Sequence, residues 1–303
     1  MPDLKNALKI FIIFSFSFAV LCGSPVGAYA QNQEDRLPEN LRQDVTFLAD
    51  STMCGRGMGS SEVQRAIFHI TRRFMDAGLW TRVQSFRYHD TVGHNIIGVT
   101  PGFYDRYILV CAYFDGLGRL GENVYPGADS NASGVAALMY LASRLSAAAY
   151  DGTTGIIFAA FDGHASDLAG SRAFIESYGR RYNVTLVANI DIIGSTLEPV
   201  KQNRPDYLMA LGGQAFDFSL SRANREERLH LTYSYYGSSN FTDLFYKSMG
   251  DQKWFVQNKI PAVMFTSGIT RNTNKPADTP ETLDYEVFAK RVRVIARWIK
   301  DQL

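Results

Sequence analysis

The stretch FAAFDGHASDLAGSRAF, residues 158–174, ends an apolar run in Asp162, Gly163 and His164, with Ser166 and Asp167 just beyond. An imidazole among carboxylates can move a proton, or bind a metal ion if further ligands converge on it. Partners are offered by Asp115 in YFDGLG, Asp129 in GADSNASG and Asp191 in NIDIIG. His164, Asp191 and Asp129 together would make a three-ligand, single-metal site. The alternative is a loop histidine hydrogen-bonded to Asp162 or Asp167. Asp162 is placed to cap its own turn and Asp115 to bond its own loop. Other chemistries have no motif behind them. Ser133 follows no G-x-S-x-G elbow, Cys54 and Cys111 have no identified histidine partner, and neither a phosphate-binding loop nor a dinucleotide fingerprint is present.

The elements that must carry these residues follow from hydrophobic spacing. YILVCA (107–112) and GIIFAAF (155–161) are apolar throughout, as strands buried on both faces are. Further strands are expected at 82–88, 95–100, 186–192, 207–211 and 262–266. Helical spacing is found at 37–50, 60–78, 134–145, from 171 to 178, and at 285–303. Alternating strands and helices predict an α/β fold, a mainly parallel central sheet flanked by helices. In such sheets ligands bind beyond the carboxyl ends of the strands, where Asp115, His164, Asp191 and Thr266 fall. The segment 195–259 is richer in Tyr, Ser, Asn and charge. Within it YSYYGSSNF (233–241) offers either a recognition surface or an edge strand and turn.

The 303 residues are 46% hydrophobic and 20% charged, with a formal net charge of +1. That is an ordinary globular balance, and nothing in it points to nucleic acid. Residues 1–30 stand apart. Lys5 and Lys9 precede an apolar run over residues 10–22, and Ala28-Tyr29-Ala30 precedes Gln31. This is the pattern of a secretory signal peptide, and the run is short for a membrane span. An uncleaved anchor is the alternative; a lipid anchor on Cys22 is disfavoured by Leu21 before it. Export to the periplasm or beyond is therefore expected, with no stable membrane span after cleavage, and residues 31–303 as one domain. Export would permit a disulfide between Cys54 and Cys111, but Cys111 lies inside an apolar strand, where a buried thiol is equally consistent.

Four segments in order, YILVCAYFDGLG, YPGADSNASGVAALMYLASRL, GIIFAAFDGHASDLAGSRAF and IPAVMFTSGITRNTNKPADTPETLDYE, resemble the M28 family of dizinc aminopeptidases. CGRGMGS (54–60), HNIIGVTPG (94–102) and NIDIIG (189–194) add to the resemblance, which covers roughly residues 37–303. It implies an aminopeptidase-like sandwich, two zinc ions bridged by a carboxylate and a water, and a glutamate as general base. Where the family has its first ligand histidine this chain has Tyr113. The bridging carboxylate falls on Ser130, or on Asp129 if the placement shifts by one. The general base falls on His164 and the ligand glutamate beside it on Ala165. Asp191 keeps its ligand position, and the last ligand histidine is Asn274.

These exchanges leave few donors for zinc. A methyl offers none, an amide oxygen is a poor one, and a phenol or alcohol must first lose a proton at high pKa. The expectation is a non-catalytic homologue without zinc that binds a peptide or protein partner in the old cleft. The alternative is a metal-dependent hydrolase with a rearranged site at His164, Asp191 and Asp129.

Overall fold

The computed structural model describes residues 36–149 and 152–303. The signal-peptide expectation for residues 1–30 lies outside them. Residues 41–303 form one compact unit; of the unit formed by residues 1–40, only 36–40 are described, at the start of the first helix. Among the described residues no helix is long and apolar enough to cross a membrane.

The longer helices are α1 (Leu37–Leu48), α2 (Val63–Asp76), α3 (Ser133–Leu145), α4 (Ala169–Tyr178) and α8 (Tyr285–Lys300). α2 starts later than the spacing predicts because the Ser60 hydroxyl accepts the Val63 N–H and so lies before the helix. It ends two residues early, with left-handed Gly78 closing the turn. Its buried Val63, Ala66, Ile67, Ile70 and Phe74 make one apolar stripe. In α8 the stripe is Val287, Phe288, Val292, Ile295 and Trp298, and Asp284 caps the first turn through the Val287 N–H.

The main sheet has eight strands in the order β1 (Trp80–Tyr88), β2 (Thr91–Val99), β6 (Thr154–Phe161), β3 (Arg106–Tyr113), β7 (Val184–Ile190), β10 (Ala262–Thr266), β8 (Tyr207–Leu211) and β9 (His230–Thr232). The sheet is mixed. Its centre, β6-β3-β7-β10, is parallel, while β1, β2 and β8 join antiparallel. β1 and β2 are linked by two residues, His89 and Asp90, a connection that only an antiparallel pair permits. β6 is buried along its whole length, and β3 beyond Arg106. The parallel centre brings the carboxyl ends of β3, β6, β7 and β10 to one edge.

Short elements escaped the sequence patterns. β4 (Gly118–Leu120) and β5 (Asn123–Tyr125) make a small hairpin, and α5 (Asp217–Ala223), α6 (Ser239–Leu244) and α7 (Lys253–Gln257) are brief helices. Three to seven residues do not establish a period. YSYYGSSNF forms no edge strand: Tyr235 and Ser238 make one bridge across a turn, and Ser238 then caps α6 by accepting the Phe241 N–H. Cys54 and Cys111 are both free thiols. Cys111 is buried in β3 with its Sγ on the Asn189 side chain.

Candidate active site

Each strand end contributes to one cavity of about 480 Å³. Tyr113 closes β3 and Asp115 follows it; His164 and Ala165 lie beyond β6; Asp191 follows β7; Ser130 and Asn274 come from loops. The six positions carried over as the family's ligands and base therefore line the same space. Asp129, the alternative bridging position, does not line the cavity. Its Oδ1 accepts the Gly194 N–H at 2.7 Å and the Ser133 hydroxyl at 3.1 Å, while its Oδ2 is buried without a partner. Burial and the Asp278 charge push its carboxyl up to about 7. His164, Asp191 and Asp129 are thus not gathered around a common point.

The backbone of the cavity is held by other side chains. Asn131 donates to the carbonyls of Tyr113 and Ile190 and accepts the N–H groups of Gly134 and Ile192. By taking the Ile192 N–H it ends β7 two residues before the apolar pattern does, and Ile192 turns left-handed (φ 58°). Asp278 accepts the N–H groups of Asp129 and Ser130. Asp115 reaches out of its own loop to accept the His164 N–H at 3.0 Å. Asp162 caps its turn through Gly163, as expected, and also takes the His94 N–H. Gly170 lets the next helix pass beneath: a Cβ there would lie 2.2 Å from the Asp162 carbonyl oxygen. Arg56, from CGRGMGS, is fully buried and donates to the carbonyls of Leu48, Phe114, Pro126 and Gly127. Burial draws its guanidinium down to about 10, against the opposing charges of Asp278 and Asp115.

Sequence reasoning missed the partner of His164. The Nδ1 atom lies 2.8 Å from Oδ2 of Asp251, a wholly buried residue just before α7 and 87 positions away. No local pattern links two residues so far apart in the chain. The imidazole also stacks on Tyr113, with ring centroids 3.6 Å apart and planes 14° from parallel. The Tyr113 and Ser130 hydroxyls meet at 3.1 Å, joining two exchanged positions to each other. Burial opposes a charge on His164, but Asp251, then Asp191 and Asp115, outweigh it and raise its pKa to about 9. The raised pKa favours the imidazolium, and Nδ1, facing a carboxylate, is the nitrogen that donates to Asp251. Burial raises the carboxyls of Asp115 and Asp191 to about 6 each, with His164 pulling both back.

This donor set does not fit a pair of zinc ions. Burial, then the Asp191 charge, holds the Tyr113 phenol well above its ordinary range, which keeps it protonated. Ser130 is an alcohol, Ala165 has no donor and Asn274 is a neutral amide. His164 carries protons where a metal needs a lone pair. Among the described residues no group of three or more His, Cys, Asp or Glu is arranged to hold a metal ion.

The family model described as peptidase family M28 matches residues 95–299. Solved structures share the fold. The LapA aminopeptidase of Legionella pneumophila superposes with a TM-score of 0.71 at 15% identity, covering 87% of this chain and 71% of its own. BSAP, a zinc aminopeptidase from Bacillus subtilis, gives 0.72 at 12% identity over 88% of this chain and 95% of its own. The glutaminyl cyclase of Porphyromonas gingivalis gives 0.70 at 14% identity over 88% and 98%. No curated protein matches the chain.

Proposed function

The chain belongs to peptidase family M28, and from that premise we propose that it is a non-catalytic member whose cleft binds a ligand without zinc. One observation carries the reading. His164, at the position of the general base, is ion-paired to Asp251 and stacked on Tyr113, in a cavity whose ligand positions are a phenol, an alcohol, a methyl, an amide and the one retained carboxylate, Asp191. An imidazolium cannot take a proton from water, and its charge repels a cation. The cavity itself persists, with a volume in the range of small-molecule sites. We place this binding outside the cytoplasm, on the strength of the basic, apolar and A-x-A pattern in residues 1–30, with residues 31–303 as the mature domain and a peptide or protein as partner.

Elemental analysis of the purified chain, with an aminopeptidase assay in added zinc, tests the reading. The expected result is substoichiometric metal and no turnover. Stoichiometric zinc that disappears in His164→Ala would overturn it in favour of the metal-dependent hydrolase.

A further inference from the structure

A second cavity, of about 470 Å³, lies at the opposite end of the sheet, where the parallel strands begin. It is bounded by the start of β1, the end of β2 and the loops that lead into β3 and β7, and it shares no lining residue with the first. Contacts within the fold set its walls. The Tyr104 hydroxyl donates to the Pro101 carbonyl at 2.9 Å, and its ring lies so close over Gly155 that a Cβ there would be 2.6 Å away. The Tyr107 ring meets those of Tyr104 and Tyr182 edge-on, with centroids 5.8 and 5.1 Å apart. Asn183 ties the two loops together: its amide donates to the Asp105 carbonyl at 2.9 Å, and its carbonyl accepts the Tyr107 N–H at 2.8 Å.

Two arginines line this space, and among the described residues neither has an acid partner. Arg82 is half-buried. Its Cζ lies 4.5 Å from the Tyr178 ring centroid and 5.6 Å from that of Tyr182, Nη2 donates to the Tyr182 hydroxyl, and Nε is buried without a partner. The exposed Arg181 lies 5.7 Å from the same Tyr182 ring. Asp105, the one acid in the lining, is exposed and pairs with neither. Contact with ring faces offsets part of the cost of a half-buried guanidinium but supplies no counter-charge. Beside the arginines the fold leaves two large rings uncovered, Trp80 at 56% and Phe103 at 100% exposure. A scattered exposed ring needs no explanation; two at the mouth of a cavity with unpaired cations have a use.

We propose that this cavity binds an aromatic carboxylate, the carboxylate on Arg82 and Arg181 and the ring against Trp80 and Phe103. The zinc-free reading of the other cavity is not a premise. A guanidinium offers a carboxylate two parallel N–H donors, and two arginines against one aspartate leave a single surplus positive charge, which suits a monoanion. The uncovered rings take the aromatic body edge-on or offset-stacked. The same chemistry belongs to a free aromatic acid and to the carboxyl end of a peptide whose last residue is aromatic, and the two are separable by experiment.

The test is calorimetric titration of the full chain near neutral pH. The probes are phenylpropionate, its neutral isostere phenylpropionamide, acetate, and the blocked dipeptide acetyl-Gly-Phe. Phenylpropionate or acetyl-Gly-Phe is expected to bind at least about tenfold more tightly than the amide, one charge-assisted hydrogen bond being sufficient for that ratio, and acetate more weakly than either. Arg82→Gln also removes contacts with Tyr178 and Tyr182, so the deciding variants are the exposed Arg181→Gln and Phe103→Ala, which should leave the melting temperature unchanged. Arg181→Gln is expected to shrink the preference for acid over amide, and Phe103→Ala to weaken both alike. Tighter binding of acetyl-Gly-Phe assigns the site to a peptide end and tighter binding of phenylpropionate to a free acid; either supports the inference. Equal binding of acid and amide overturns it, as does acid binding that neither variant alters, which would place the acid elsewhere on the molecule.

Discussion

Arg56 and Asp191 are both buried charges near the ends of the same strands, and their surroundings are opposite. Arg56 sits outside the cavity lining and spends its donors on four backbone carbonyls, tying the end of α1, the end of β3 and the loop at Pro126 and Gly127 together. Asp191 lines the cavity, and among the described residues its side chain accepts no hydrogen bond, meeting only the more distant opposite charge of His164. The first charge is consumed by the fold. The second is left to whatever enters from solvent. Completeness of hydrogen bonding therefore separates a charge that builds the scaffold from one available to a ligand, where burial and residue type do not.

The contrast can be broken most forcefully at Arg56. Arg56→Met should cost about 3–5 kcal/mol in urea unfolding, since it strands four carbonyls in the interior. A loss under about 1 kcal/mol would mean that Arg56 holds nothing together. The next effect is on pH dependence. His164 has its pKa raised from 6.5 unfolded to about 9 folded, so its stabilisation is complete below pH 6.5 and is lost as pH rises through 9. Over that window the native chain should lose about 3 kcal/mol more than His164→Asn does. The raised carboxyls of Asp129 and Asp162 add a decline of the same sign to both proteins. Parallel stability–pH curves for the two would refute the ion pair with Asp251.

Asp191→Asn should act in the opposite sense to Arg56→Met. The Asp191 carboxyl rises from 3.8 to about 6 on folding, so its protonated form favours the fold at low pH and that advantage is gone above 6. Near pH 7 the substitution should therefore stabilise by about 3 kcal/mol, a gain that vanishes below pH 3.8. Destabilisation at neutral pH would show that Asp191 has a partner in the fold after all. The smallest effect is expected at the thiols. Half-buried Cys54 should react with a thiol reagent in the native state and Cys111 only on unfolding, and a reductant should leave the melting temperature unchanged.

What the sequence disclosed tracks the length of each pattern. β3 and β6 were legible because uninterrupted apolar runs have few other uses, and the longer helices because their stripes repeat over two turns or more. β9 and the helices α5 to α7 are too short to repeat anything. In the site, Tyr113, Ser130, Ala165 and Asn274 could be located because the motifs around them kept their order, and they do meet in one cavity. The Asp251 partner of His164 could not, since the pairing joins loops 87 residues apart. Nor could the direction of Asp129, which is set by Ser133 of its own motif together with the distant Gly194 N–H.

The hydrogen bonds that fix the cavity's backbone run through Asn131, Asp278, Asp115 and Arg56, and the exchanged side chains contribute none of them. Inheritance of shape and inheritance of reactivity are thereby uncoupled. Changes at Tyr113, Ser130, Ala165 or Asn274 therefore leave the bonds that shape the pocket in place, so its outline and its contents are set by different residues.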